Sequence, residues 1–550
     1  MTDKTPGFPG FTLHLCGENP ERLSSFPKLL IGLALLVFAG YFLIYSQYAF
    51  ALFRFPFDYD QGEGYELVDT ILFSQGQWPY RDIDQYPFYS SNYPPVFHLV
   101  TVPLVWLFGP HYWTGRLVSY LGTLITAAAI GYAVQRAGKR GWLSVLSGLA
   151  FLASNYVYQV GPLFRQHMFM VMFETLAVVC LTIVIEREES AGQRNNRGWL
   201  LVMLLLLLAG YTKQLAYATV IAVFLFLGLR QWRRAALWAV PFALVTGLIF
   251  LGINMVTDGN WLLNTITANI NPFVPGQAQG LFRQWFSLHS VITVVALLMA
   301  VYQLYFERLS LFSVWFVVAV INSVTAGKWG AGPSYFATAI AASCILSGMG
   351  FSRLLDWSQR RPAPAWRTAA LALVPLLFLL QAHQMFHMPT HTPLQRALAA
   401  ALGQPTETMA PPQTSCSAPR PPEAIPYVDA MGYTLIGRPP TAADRDAGIA
   451  ITQLIAQGDT PAFSEEAGFN LYLGRDVITN PTQLLNLYHN GYADLTEMLD
   501  RLDRQQFDTI VLRAQFYPPP VLDVIGQRYE TKHLVQMNGF VYCIMQPKGN

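Results

Sequence analysis

Charged residues are scarce in this 550-residue sequence. Asp, Glu, Lys and Arg make up 12% of the residues, hydrophobic residues make up 53%, and the net charge is +2. This composition excludes an ordinary soluble domain, and the lack of a basic surface argues against nucleic acid as a partner. The five cysteines form no CxxC pair, which argues against a cysteine-based metal site. The composition instead predicts a membrane protein.

About 20 apolar residues are needed to cross a hydrocarbon core of roughly 30 Å. Apolar segments of about this length recur from Lys28 to Phe386. No cleavage-site pattern follows a short apolar core within residues 1–27, so 28–50 is predicted to be an uncleaved first membrane helix. The apolar runs are 28–50, 96–108, 112–134, 142–158, 167–185, 199–210, 215–229, 235–256, 287–305, 310–325, 334–350 and 367–385.

The distribution of basic residues predicts the topology. The run 96–108 is short and contains Pro103, so we expect it to lie at the membrane interface. With eleven crossings and a cytoplasmic N-terminus, the most basic loops all face the cytoplasm of a plasma membrane, as the positive-inside rule requires. These loops contain Arg136, Lys139, Arg140, Arg187, Arg194, Arg197, Arg230, Arg233, Arg234, Arg308, Arg353, Arg360, Arg361 and Arg367.

The fold predicted is mainly α, a polytopic membrane protein of about eleven transmembrane helices followed by a small extracytoplasmic α/β domain. In the tail, "EMLDRLDRQQ" predicts a helix, "FDTIVLR" a strand, and "HLVQMNGFVYCIM" a hairpin that turns at Asn538 and Gly539. Cys416 and Cys543 would share an oxidising compartment, where they could pair. The predicted divisions are a cytoplasmic segment 1–27, a transmembrane domain 28–386 with a long first external loop 51–111, a Pro-rich linker 387–426 and the α/β domain 427–550.

One stretch contrasts with the general lack of charge. Residues 55–69, "FPFDYDQGEGYELVD", open the first external loop in the predicted topology. Polar loops with Asp, Gly and Pro are common as turns, but loops on rigid scaffolds also carry function, and we favour that interpretation. "DYDQGE" begins like a calcium loop, although the later ligands are missing. The acids of the stretch are Asp58, Asp60, Glu63, Glu66 and Asp69.

A few cations lie at the predicted outer mouths of helices. Each alone is explained by a side chain that reaches from the bilayer to water. Together they place positive charge on the same face of the membrane as the carboxylates. Glycosyl transfer from a polyprenyl-phosphate sugar requires such a site, with a carboxylate base on one side of the sugar and cations at the leaving phosphate on the other. These cations are Arg165, Lys213, Arg283 and Lys328.

Two alternatives stay open at this point. A multi-pass transporter or a flippase of lipid-linked sugars would bury charge within its helices, where Glu174 is the main acid of this kind. A non-catalytic scaffold would use the external domain to recruit partners, and its first loop would tolerate removal of charge.

The order of several motifs resembles the GT-C superfamily of membrane glycosyltransferases, which includes the protein O-mannosyltransferases and the bacterial aminoarabinose transferase of lipid A. These motifs are "DQGEGY", "NYPPVFHLV", "FGPHYWTGRLVSYLG", "GYTKQ", "GKWGAGPSYF" and the tail phrase "FSEEAGFNLYLGRDVI". The resemblance implies an inverting hexosyl- or pentosyltransferase with a lipid-phosphate sugar donor. It also implies that an acid of the first external loop is the catalytic base or a metal ligand.

By position in the motif, Asp60 and Glu63 match the family's acid best, and Asp58 comes next, whereas Glu66 and Asp69 are expected to be solvated or structural. The expected partners are the polyprenyl-phosphate sugar, membrane lipid and an extracytoplasmic acceptor that is a glycan, lipid or protein. Many members carry an acid just after the Arg at the position of Arg165, where this chain has Gln166 and His167, so a divalent metal ion stays possible without assigned ligands. The residues expected to bind substrate are Arg165, Lys213, Lys328, Tyr335, Tyr93 and His98.

Overall fold

A computed structural model describes residues 25–361, 364–386, 392–403, 439–513 and 515–549. The apolar part is helical throughout, as the length of its apolar runs predicts. Its helices are α1 Ser25–Phe53, α2 Glu63–Ser74, α3 Val96–Phe108, α4 Tyr112–Gly138, α5 Gly141–Ala153, α6 Asn155–Val160, α7 His167–Ala191, α8 Asn196–Thr212, α9 Tyr217–Val256, α10 Asn260–Thr265, α11 Pro275–Phe306, α12 Leu311–Asn322, α13 Ala337–Gln359 and α14 Pro364–Met385.

Among the described residues, seven helical segments are long and apolar enough to cross a membrane. One of them, Gln214–Val256, bends at Gln231, where the backbone leaves the helical region. Its two halves correspond to two of the predicted crossings. The shorter apolar helices α5, α8 and α12 lie at three more of the predicted crossings. The predicted polytopic helical fold is therefore confirmed, and each predicted crossing has a helix, while the number of crossings stays a prediction.

Helix α3 corresponds to the run predicted not to cross. Its 13 residues span about 20 Å at 1.5 Å per residue, the same length as α5, so length alone does not distinguish it from the helices at predicted crossings. It contains Pro103 and buries Phe97, whereas Trp106 and Leu107 are largely exposed. A short helix with one buried and one exposed apolar face suits a position at the interface.

Glu174 on α7 ties several helices together. Its two carboxylate oxygens accept hydrogen bonds from the hydroxyls of Thr219 and Thr338, each at 2.6 Å. Trp315 of α12 in turn donates to the Thr219 hydroxyl at 2.9 Å. Each carboxylate oxygen of Glu174 thus accepts a hydrogen bond, and these bonds join α7 to α9 and α13.

The tail forms a small α/β unit. Helix α15 Pro393–Ala401 lies within the predicted linker, and the helices of the unit are α16 Ala442–Ile455, α17 Gly468–Tyr472, α18 Pro481–His489, α19 Thr496–Asp503 and α20 Pro519–Arg528. Its strands are β1 Phe463–Ser464, β2 Ile510–Leu512, β3 Tyr529–Met537 and β4 Phe540–Pro547, in the spatial order β1-β2-β4-β3. Strands β1 and β2 are parallel, and β2, β4 and β3 pair antiparallel.

The predicted helix, strand and hairpin of the tail are all present. Asn538 and Gly539 have φ values of 53° and 77°, the left-handed conformation that a tight two-residue hairpin requires. Cys543 on β4 is disulfide-bonded, and the predicted partner Cys416 lies outside the described residues. Most of the predicted linker 387–426 also lies outside them.

The tail packs directly onto the acidic stretch. The backbone N–H of Gly468 donates to the Asp58 carboxylate at 2.8 Å, and the Tyr65 hydroxyl donates to the Glu465 carbonyl at 2.6 Å. Asn538 at the hairpin turn donates to the Asp58 carbonyl at 3.2 Å. As a result all five acids of residues 55–69 are at most 3% exposed.

Candidate active site

A tight turn at Gly62 positions the acids. Gly62 has a φ of 98°, which favours glycine, and it immediately precedes α2. A Cβ atom built at Gly62 would lie 2.9 Å from a guanidinium nitrogen of Arg165. The glycine therefore lets Arg165 approach the backbone between Asp60 and Glu63.

Glu63 is fully buried and paired. Its carboxylate binds both Nε and Nη2 of Arg116, at 2.9 and 2.8 Å, and accepts the backbone N–H groups of Phe164 at 2.7 Å and Tyr59 at 2.9 Å. Burial alone would raise the pKa of Glu63, but the Arg116 guanidinium and these donors hold that pKa below its usual value. The remaining guanidinium donors bind the carbonyls of Leu52, Phe55 and Phe57. This network fastens α2 to α1 and α4 and leaves Glu63 little capacity to accept a proton.

Asp58 is also a structural tie in this arrangement. It accepts from the Tyr112 hydroxyl at 2.7 Å and from the backbone N–H of Gly64 at 2.6 Å, in addition to Gly468 of the tail. Its carboxylate thereby joins α2, α4 and the tail. Neither Asp58 nor Glu63 borders the cavities described next.

Asp60 differs from both neighbours. Its Oδ2 binds Nε and Nη2 of Arg165 at 2.8 and 2.7 Å. Its Oδ1 is buried without a hydrogen-bond partner among the described residues. Asp60 and Arg165 border a cavity of about 260 Å³. Burial raises the pKa of Asp60 to about 7, against the opposing effect of Arg165, and Glu63 adds to the rise.

A second cavity of about 370 Å³ adjoins the first, and the two share wall residues that include Tyr93 and Trp329. The predicted substrate-binding residues Lys213, Lys328 and Tyr335 all border it. The Lys213 ammonium lies 4.6 Å from the centre of the Tyr93 ring. Burial lowers the pKa of Lys213 to about 7 despite the nearby Glu66, and burial likewise lowers the pKa of Lys328. The structure thus brings a carboxylate cavity and a cation cavity side by side.

Three residues of the first loop lie elsewhere than expected. His98 is buried behind α2 and borders neither cavity. Glu66 and Asp69 are not solvated: they are 2% and 3% exposed and border the first cavity with Asp60. Of the two roles expected for them, solvated or structural, the solvated one is wrong, because the tail covers α2. Burial raises the pKa of Glu66 to about 7 in spite of Arg165 and Lys213.

Gln166 and His167 occupy the position where many GT-C members carry an acid. The side-chain amide of Gln166, with its nitrogen turned toward Glu66, donates to that carboxylate at 3.0 Å. Nδ1 of His167 lies 2.9 Å from the Lys213 nitrogen. The two residues thus hold Glu66 and Lys213 in place, and no carboxylate is supplied there.

Sequence reasoning missed the contribution of the tail to the first cavity. Asn480, Thr482 and Phe516 form part of its wall, and the Gln61 side chain donates to the Thr482 hydroxyl at 3.3 Å. The buried pair of Arg513 and Glu466, 3.0 Å apart, lies behind this wall. The sequence signal for this contribution of the tail was the phrase "FSEEAGFNLYLGRDVI", whose two adjacent glutamates are unusual beside a buried strand.

Comparison with known proteins agrees with this architecture. The dolichyl-phosphate-mannose-protein mannosyltransferase family matches residues 92–257. ArnT from Cupriavidus metallidurans in the apo state is similar in structure, with a TM-score of 0.57 and 15% sequence identity over 94% of this chain and 97% of that chain. The same protein bound to undecaprenyl phosphate gives a TM-score of 0.55 and 14% identity over the same shares of the chains. No curated protein sequence matches the chain.

The class of protein follows from the family match and the shared fold. The chain has a polytopic helical membrane fold that it shares with ArnT, and its residues 92–257 match the mannosyltransferase family, as the resemblance in the order of its motifs led us to expect. Among known structures it resembles ArnT along nearly the whole of both chains. The transporter alternative is not favoured.

Proposed function

We propose that this protein transfers one sugar from a polyprenyl-phosphate carrier to a hydroxyl of an acceptor at the outer face of the plasma membrane. The observation that carries the proposal is the Asp60 carboxylate, which borders a cavity: one oxygen is held by Arg165, and the other is buried without a hydrogen-bond partner among the residues that the structure describes. The ligand of the similar ArnT structure, undecaprenyl phosphate, supports a donor of this class.

Asp60 is the candidate base. The acceptor would enter the first cavity with its hydroxyl near Oδ1 of Asp60. The hydroxyl oxygen attacks the anomeric carbon of the sugar from the face opposite the phosphate, and Oδ1 takes the hydroxyl proton. The salt bridge to Arg165 fixes the orientation of the carboxylate. A base whose pKa is about 7 combines a large ionised fraction with useful proton affinity near neutral pH.

The second cavity is the candidate phosphate site. Lys213 and Lys328 are both partly desolvated, so their charges act strongly on a bound anion and stabilise the phosphate as it departs. The aromatic rings of Tyr93 and Tyr335 flank the Lys213 ammonium, at 4.6 and 5.7 Å from ring centre to nitrogen. Donor phosphate and acceptor hydroxyl would thus meet at the shared wall near Tyr93.

The orientation in the membrane is part of this proposal. The basic loops between α4 and α5, α7 and α8, and within the bend of α9 lie at the end of the bundle away from α2 and the tail, as a cytoplasmic N-terminus and an external tail require. A disulfide at Cys543 is typical of an oxidising compartment and supports an external tail.

The pH profile of kcat/KM tests the two roles together. Asp60 acts as a base only when deprotonated, so kcat/KM should fall as the pH drops below about 7. Lys213 holds the phosphate only when protonated, so kcat/KM should also fall as the pH rises above about 7. The variant Lys213→Arg keeps its charge, and its alkaline limb should move to higher pH while its acid limb stays. An alkaline limb unchanged by this substitution would remove Lys213 from the phosphate site.

Deletion of the gene tests the function in cells. Mass spectrometry of lipid-linked sugars and envelope glycans should show the polyprenyl-phosphate sugar accumulating and one glycan, lipid or protein losing a single sugar. An unchanged set of envelope glycans, with no accumulated carrier, would argue against the proposal.

A further inference from the structure

Three lone-pair atoms converge behind α2. Nε2 of His98 lies 3.4 Å from Oε2 of Glu66 and 3.7 Å from Oδ2 of Asp69. The three side chains are at most 4% exposed. Among the described residues, Nε2 of His98 has no hydrogen-bond partner.

The protonation of His98 follows from its other nitrogen. The Thr70 hydroxyl oxygen lies 2.8 Å from the Glu66 carbonyl and 3.2 Å from Nδ1 of His98. When the hydroxyl donates to that carbonyl, Nδ1 carries the ring hydrogen, and Nε2 of the neutral ring presents a lone pair. This lone pair faces two carboxylates, an arrangement that is repulsive unless a cation lies between them.

We propose that Glu66, Asp69 and His98 bind a divalent transition-metal ion. Ligands about 2.0–2.2 Å from a tetrahedral zinc ion are separated by about 3.3–3.6 Å, close to the two distances measured from Nε2. All three ligand atoms lie within 4.8 Å of one another. The inference goes beyond the proposed glycosyl transfer, and its evidence does not depend on the donor or the acceptor.

The surroundings of the three ligands match those of metal sites. Metal-binding histidines commonly donate their second ring N–H to an oxygen, and Nδ1 of His98 lies 3.2 Å from the Thr70 hydroxyl oxygen. The Asp69 carboxylate accepts from the hydroxyls of Tyr89, at 2.8 Å, and Ser91. Glu66 accepts from Gln166. These contacts fix both carboxylates without using all of their lone pairs.

The ligand set selects the kind of ion. One imidazole with two carboxylates suits zinc, manganese or ferrous iron, whereas calcium and magnesium prefer oxygen ligands alone. Glu66 and Asp69 also border the cavity that contains Asp60. A bound ion would fix α2 to α3 and hold Glu66 against Arg165, whose Nη1 lies 3.5 Å from Oε1.

Metal binding can be measured on the full-length protein in detergent. The protein is stripped with EDTA and titrated with Zn²⁺, and bound zinc is counted by mass spectrometry after gel filtration. We expect one tightly bound ion in the wild type and a loss of affinity of more than about 100-fold in His98→Gln and Asp69→Asn, since changing a residue that only hydrogen-bonds to a metal ligand already costs about 10–100-fold. Thr70→Val, which removes only the acceptor for Nδ1, should weaken binding by about 10–100-fold. His289→Gln is the matched control, because His289 is buried but hydrogen-bonded through both nitrogens.

X-ray absorption at the zinc edge of the loaded wild type needs no variant. One imidazole and only oxygen donors besides it would support the site. The proposal is overturned if the wild type binds no zinc, because a proton then occupies the gap. It is also overturned if His98→Gln, Asp69→Asn and His289→Gln all bind zinc as the wild type does, or if the spectrum shows sulfur or several imidazoles.

Discussion

Replacing Asp60 with Asn is expected to lower kcat by about 10²–10⁴-fold, the usual contribution of a general base. Asn has nearly the same size and keeps an oxygen for Arg165, but it cannot take a proton in place of Oδ1, the oxygen that has no partner in the described part of the chain. Fold and binding of the lipid phosphate should persist. The measurement is sugar transfer by purified protein with a lipid-linked sugar, together with a thermal unfolding midpoint.

The matched control is Asp82→Asn, the same substitution at an exposed acid of the same loop. It should leave transfer unchanged. If Asp60→Asn transfers sugar at the wild-type rate, Asp60 is not the base.

Replacing Glu63 with Gln is expected to destabilise the fold by about 3–5 kcal/mol, because it leaves the buried Arg116 charge without its partner. The result should be a lower thermal midpoint and loss of monodisperse protein in gel filtration. In the double variant Glu63→Gln, Arg116→Gln no uncompensated charge remains, so part of the lost stability should return.

This pair of predictions separates the two acids that the sequence could not separate. A Glu63→Gln protein that unfolds like the wild type and yet loses transfer as completely as Asp60→Asn would assign the base to Glu63. A protein that is destabilised but keeps transfer in its folded fraction would confirm the structural role.

The sequence predicts the helical part well because apolar length is a local property. Every apolar run corresponds to a helix, while the interfacial position of 96–108 stays a prediction. The hairpin at Asn538 and Gly539 is also local, since the two residues tolerate the left-handed backbone that the turn needs.

The different roles of the acids are not determined by the local sequence. Glu63 and Glu66 are three residues apart on one helix, and their roles depend on Arg116 and Arg165, which come from α4 and from the turn before α7. Nothing within residues 55–69 specifies which acid meets which arginine. The burial of Glu66 and Asp69 depends on a tail some 400 positions later in the chain, so the sequence pattern could not decide whether these residues are solvated or structural.

Asp60 is proposed to be the base in covalent transfer of a sugar from a lipid phosphate. The most direct measurement uses the purified protein in liposomes that contain lipid-linked sugars from cells lacking the gene, with mass spectrometry of the lipids and of the acceptor fraction. The wild type should release free polyprenyl phosphate in step with a glycosylated product, and Asp60→Asn should release neither. Movement of the sugar lipid or of a solute across the membrane, without any covalent product, would contradict the account.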